Sequence, residues 1–179
     1  MALRSVVFKA ELGIADLDRH YYQDHVLTLA RHPSETDERM MVRLLAFILN
    51  ASESLEFGKG LSSDDEPALW DRDLTGLIRT WIEVGQPEER VIRKACGRAD
   101  KVLLYAYGRA VDMWWKQNAK AFAKQDKLEV WLVPAEDCAA MVALVERGMK
   151  LQCTLQDGEV MIAAERDTIT IKVQKLTAE

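Results

Sequence analysis

The chain has little of what marks several common protein classes. Its three cysteines, Cys96, Cys138 and Cys153, are odd in number and lack CxxC spacing, so neither a disulfide framework nor a structural zinc site is indicated. They read instead as small core residues in a reducing compartment. Nine glycines and four prolines, spread without a short period, exclude collagen-like, low-complexity and solenoid architectures. No long apolar run occurs either. The best candidate, residues 40–51, carries Arg43 and falls short of the roughly 20 apolar residues of a spanning helix. The opening Met-Ala-Leu-Arg-Ser leads into an alternating stretch and lacks a signal-like apolar core, so a soluble, unexported, cytoplasmic protein is expected. An excess of positive charge is also missing. The formal net charge of −5 argues against holding nucleic acid by bulk electrostatics, though it leaves room for a local basic ridge. There is no GxSxG, P-loop or GxGxxG motif, and His20, His25 and His32 lack the spacing of a helical zinc motif.

What is present is ample material for a core. With 49% hydrophobic and 30% charged residues over 179 positions, the expectation is one domain spanning residues 1–179, without a linker. Val6, Phe8, Ala10 and Leu12 alternate with Val7, Lys9 and Glu11, the period of a strand, and residues 21–29 supply a partner for a hairpin. Pro33 and Ser34 open a helix that carries Met41, Leu44, Leu45 and Ile48 to about Asn50. Strands are expected at residues 55–58 and 77–84, and a helix from Pro87 to about Arg98. Then follow a strand over 101–107, a helix over 108–124, a strand over 128–133 and a helix over 134–146. The tail returns to strands, with Asp157-Gly158 as a hairpin turn. This order predicts an α+β fold, a mixed β-sheet flanked by helices.

Carboxylates on buried faces are the first candidates for chemistry. Glu38 lies on the stripe of Met41 and Leu45 and is expected to point inward, whereas Glu35 faces Arg39 at i+4 and reads as a solvated pair. In the strand 77–85, alternation puts Arg79, Trp81, Glu83 and Gly85 on one face. If residues 73–76 form a hairpin tip, the register sets Glu66 opposite Glu83. Two facing carboxylates repel, and a hard divalent cation such as Mg²⁺ or Mn²⁺ would relieve that repulsion. The competing reading is an irregular strand near Pro67 with Asp64, Asp65 and Glu66 simply solvated. Along the next helix Arg90, Lys94, Arg98 and Lys101 recur as a basic ridge, suited to phosphates or equally to a solvated helix face. Trp114, Trp115 and Phe122 read as helix packing rather than a base-stacking platform. Cys96 has no histidine near it in sequence to make a catalytic pair.

Several of these runs also carry a resemblance. Leu29-Ala30-Arg31-His32-Pro33-Ser34-Glu35-Thr36, Asp64-Asp65-Glu66-Pro67 with Trp70, and Trp81-Ile82-Glu83-Val84-Gly85-Gln86-Pro87 resemble the bacterial YaeQ family. So do Ile92-Arg93-Lys94-Ala95-Cys96 and Leu155-Gln156-Asp157-Gly158, and the likeness covers essentially the whole chain. That family has no settled biochemical function, and its fold is similar to a compact variation on the PD-(D/E)XK nuclease core.

The resemblance implies a metal-dependent nuclease or phosphodiesterase. Glu38, Asp65, Glu66 and Glu83 would hold Mg²⁺ or Mn²⁺, Lys94 would serve the attacking water, and Arg90 and Arg98 would hold the flanking phosphates. Glu83 matches the second acid of the pattern, Glu38 the helix acid, and Asp65 or Glu66 the first. Gly85 occupies the position where the pattern has its lysine. That departure motivates the alternative, a non-catalytic protein that binds nucleic acid or protein and retains the nuclease fold. No membrane partner is expected, and a monomer is compatible with the sequence.

Overall fold

The computed structural model describes residues 4–59 and 65–179, so Ser62, Ser63 and Asp64 of the acidic stretch lie outside the described residues. The elements are β1 (Val6–Asp16), β2 (Tyr21–Arg31), α1 (Asp37–Asn50), β3 (Leu55–Phe57), β4 (Leu69–Arg72), β5 (Ile78–Val84), α2 (Glu89–Cys96) and β6 (Ala99–Ala106). They continue as α3 (Val111–Phe122), β7 (Leu128–Leu132), α4 (Ala135–Val142), β8 (Gly148–Gln156), β9 (Glu159–Ala163), β10 (Thr168–Ile171) and β11 (Gln174–Leu176). The class is mixed α+β, with its strands divided between two sheets. Among the described residues no helix is long and apolar enough to cross a membrane.

The chain makes two compact units. One comprises Met1–Leu49 and Glu136–Val173, the other Asn50–Ala135 and Gln174–Glu179. The crossings fall at the end of α1, at the start of α4 and between β10 and β11, where no Gly- or Pro-rich linker marks them.

The first unit holds a five-stranded sheet in the order β10-β9-β8-β1-β2. β1 pairs antiparallel with β2 and parallel with β8. Phe8, Ala10, Leu12, Ile14 and Asp16 of β1 are all buried, so the strand runs on through Ile14 and Asp16, beyond the alternation from Val6 to Leu12. The buried Asp16 carboxylate is satisfied by the backbone and guanidinium of Arg19 at 3.0 and 2.7 Å. Asp157-Gly158 turns between β8 and β9 with φ of +53° and +76°, the left-handed pair that this hairpin turn requires. Asp18 accepts hydrogen bonds from both turn amides, at 2.8 and 3.1 Å. From Met40 to Ile48 every residue of α1 is buried, Arg43 included.

The second unit holds a six-stranded sheet in the order β11-β7-β6-β5-β4-β3, parallel across β5, β6 and β7 and antiparallel elsewhere. Its core brings together Trp70, Trp81, Ile92, Leu104, Trp114 and Phe122. Trp114 and Phe122 thus pack as helix residues, their rings 5.6 Å apart. The β4–β5 register differs from the expected one. Trp70 pairs with Trp81 and Leu69 with Ile82, so the position facing Glu83 falls at Ala68, before β4, and not at Glu66. Two local features cause the slide. The tip closes between Asp73 and Leu77 (N to O, 2.9 Å), and a bulge lies between Asp71 and Arg72.

Candidate functional site

Trp81 is the hinge of the constellation. It lies on β5 two residues before Glu83, and the alternation of the strand sends both side chains to one face. Its indole N–H donates to Glu83 Oε1 at 2.8 Å. Its ring meets Trp70 edge-on, centroids 5.9 Å apart, and the Arg98 guanidinium lies 5.1 Å from its centroid. Such a cation over a tryptophan face contributes about 0.5–2 kcal/mol, depending on how far water is excluded.

From Arg98 the contacts run to Asp65. Arg98 Nη1 donates to the Asp65 carbonyl at 2.9 Å, and Lys94 Nζ donates to Asp65 Oδ1 at 2.7 Å. The Lys94 hydrogen bond, then its charge, hold the Asp65 carboxyl below the usual carboxylate range, with Arg98 adding to the effect. Both partners are well exposed, so this pair stabilises the fold little. The expected four-residue basic ridge is broken. α2 ends at Cys96, with the Gly97 amide turned back onto the Arg93 and Lys94 carbonyls, and Arg98 is redirected onto Trp81. Lys101 belongs to β6 and faces Glu129 at 3.5 Å. Arg90 pairs with Glu88 at 2.8 Å.

Four of the sequence-predicted residues, Asp65, Glu83, Lys94 and Arg98, therefore form one connected series through Trp81. Glu66 does not join it. Its Oε2 accepts from the Lys59 amide at 2.8 Å, close to the point where Gly58 N meets Ala68 O at 2.9 Å. A Cβ at Gly58 would stand 1.9 Å from the Pro67 carbonyl oxygen, so glycine is required there.

Glu38 belongs to the other unit. It is half-buried in the first turn of α1, and its carboxylate accepts a hydrogen bond from the Cys138 thiol, which burial and this neighbouring charge push up to about 12. The inward carboxylate at this end of α1 is Glu35, and this corrects the reading of Glu35 as a solvated partner of Arg39. It is buried and bidentate to Arg43 at 2.6 and 3.0 Å, with Arg39 as a second partner. Among the described residues no three His, Cys, Asp or Glu side chains are grouped as a metal ion requires.

A family model described as YaeQ protein matches residues 1–173. The chain belongs to the YaeQ family. It is 44% identical over 174 residues to the uncharacterised protein YaeQ of Escherichia coli (strain K12), covering 97% of this chain and 96% of that one. The Salmonella typhi YaeQ is 45% identical over the same span. The crystal structure of the YaeQ protein from Xanthomonas axonopodis pv. citri matches with a TM-score of 0.93 at 48% identity, covering 98% of this chain and 99% of that one. The YaeQ protein from Pseudomonas syringae matches with a TM-score of 0.93 at 36% identity, over 98% and 97% of the two chains. The YaeQ fold thus frames the Trp81 series. Sequence reasoning named Trp81 only as the neighbour of Glu83, although the i, i+2 spacing on a strand was the signal for their contact.

Proposed function

We propose that this protein binds the phosphodiester backbone of a nucleic acid through Lys94 and Arg98, without needing a metal ion. One observation carries the reading: two cations converge on the single residue Asp65, one at its carboxylate and one at its carbonyl. An exposed phosphate presents the same acceptors and can take the place of Asp65, whose exposed ion pair with Lys94 is cheap to break.

A PD-(D/E)XK-type nuclease would instead gather Glu38, Asp65, Glu66 and Glu83 around Mg²⁺ or Mn²⁺, with Lys94 beside the attacking water. The donor set does not fit that group. Asp65 faces a lysine, Glu66 a backbone amide, Glu83 an indole N–H and Glu38 the Cys138 thiol. Gly85, at the position of the pattern's lysine, has φ +99°, a backbone conformation in which a lysine would be strained.

Anisotropy titrations of labelled single- and double-stranded oligonucleotides in EDTA test the proposal. Lys94→Ala with Arg98→Ala should weaken binding about tenfold or more and flatten its salt dependence by one to two ions. Asp65→Asn should tighten binding, because it removes the internal competitor for Lys94. If no oligonucleotide binds at about 50 mM salt, the reading fails. Mn²⁺-dependent cleavage that disappears in Glu83→Gln would replace it with the nuclease reading.

A further inference from the structure

The parallel ladder between β1 and β8 leaves half of β8 open. Lys9 N bonds to Arg147 O and Leu17 N to Leu155 O, both at 2.8 Å. Odd-numbered residues of the two strands therefore bond to each other, and even-numbered residues of β8 turn their N–H and C=O groups to the opposite side. There β9 pairs with β8 only from Gln152 to Gln156. The chain then turns back, with Ala164 N on Asp167 O at 2.8 Å, and leaves Gly148 and Lys150 uncovered. Among the described residues no backbone partner faces either of them on this side. A cavity of about 970 Å³ opens beside this stretch, bounded by residues 143–146 and the turn at 164–167, and reaches across the sheet to residues 11–13 of β1 and 24–26 of β2.

The lining of the cavity follows the pleat. Leu144, Met149 and Leu151 give it an apolar side. Its charges beside the open edge are Glu146, Glu165 and Asp167 against Lys150 and Arg166, and Glu11 and Asp24, on the strands beyond β8, add to the acidic excess. A strand laid against Gly148 and Lys150 sends alternate side chains to these two environments.

We propose that the open half of β8 is a docking groove for an extended peptide of alternating basic and apolar residues, which adds to the sheet through the backbone of Gly148 and Lys150. This groove lies wholly within the first unit, and its test is independent of the phosphate reading.

The probe is the blocked, fluorescently labelled pentapeptide Lys-Val-Lys-Val-Lys, titrated by anisotropy against the full chain. Lys150→Pro deletes one outward N–H and leaves the β1 ladder intact, because that ladder uses residues 149 and 151. It should weaken binding about five- to tenfold relative to Lys150→Ala. Glu146→Gln with Glu165→Gln alters two exposed side chains, leaves the backbone alone and should weaken binding about threefold or more. The same logic places Thr28 on the outward side of β2, an edge strand of this sheet, and Thr28→Pro should leave binding unchanged. The proposal is overturned if the lysine peptide fails to saturate at millimolar concentration, or if Glu-Val-Glu-Val-Glu binds equally well. It is also overturned if Thr28→Pro, and not Lys150→Pro, abolishes binding.

Discussion

Arg43 and Glu35 form a fully enclosed ion pair, with side chains 7% and 2% exposed, and Arg43 also donates to the Ala30 carbonyl at 3.2 Å. Removing one partner strands the other in a medium that cannot solvate it. Glu35→Ala should therefore destabilise the protein by about 3–5 kcal/mol in urea unfolding, whereas replacing both residues by methionine should cost much less. The sequence did not reveal this pair, because helical periodicity describes residues inside a helix and Glu35 precedes α1. Glu38, which does lie on the periodic stripe, is only half-buried. Alternation on β5, by contrast, correctly aimed Glu83 beside Trp81. His25 offers a second test at this scale. Its ring meets Phe47 edge-on at 5.1 Å and the Tyr21 hydroxyl at 2.8 Å, and burial holds its imidazole below the usual histidine range, with Asp24 partly offsetting this. As pH falls through that range the unfolded chain takes up a proton before the folded one does. Stability should thus decline as pH is lowered, and level off below the folded pKa. His25→Gln should flatten this part of the profile in urea titrations between about pH 8 and pH 5.

At the scale of elements, the regular strands and helices were legible because their periods are local. The tips and ends were not. The β4–β5 register slid by two residues because Asp73 Oδ1 accepts from the amides of Thr75 and Leu77, which fixes a wider tip than the four residues alone imply. α2 stops at Cys96, after which Arg98 N bonds to Ala95 O at 3.0 Å in a tighter turn, and nothing in the charge pattern of the ridge foretells that end. Gly58 is the sharpest of these fixed points. Gly58→Ala drives a Cβ into the Pro67 carbonyl, which is backbone and cannot rotate away. A loss of about 1–3 kcal/mol in thermal or urea unfolding is expected. The same substitution at Gly148, where a Cβ meets nothing within 4 Å, should be close to neutral by the same measurement.

The whole molecule is threaded discontinuously, with the first unit beginning at one end of the sequence and finishing only after most of the second has been traced. Its central strand β1 lies between β2, its neighbour in sequence, and β8, far along the chain. Hydrophobic patterning identifies both strands but is silent about their partnership, which is why two sheets could be read as one. Contacts of such long separation slow folding, so refolding from urea followed by tryptophan fluorescence should take milliseconds to seconds rather than microseconds. The Asp18 clasp on the β8–β9 turn spans 139 positions. At about 5–20 residues per second, translation separates its two ends by roughly 7 to 30 seconds. Throughout that interval β1 has only one of its two strand neighbours, so the backbone edge that later meets β8 stands unpaired. An N-terminal hairpin with such an open edge is a template for pairing with other chains, so slowing translation should raise the soluble yield of this protein.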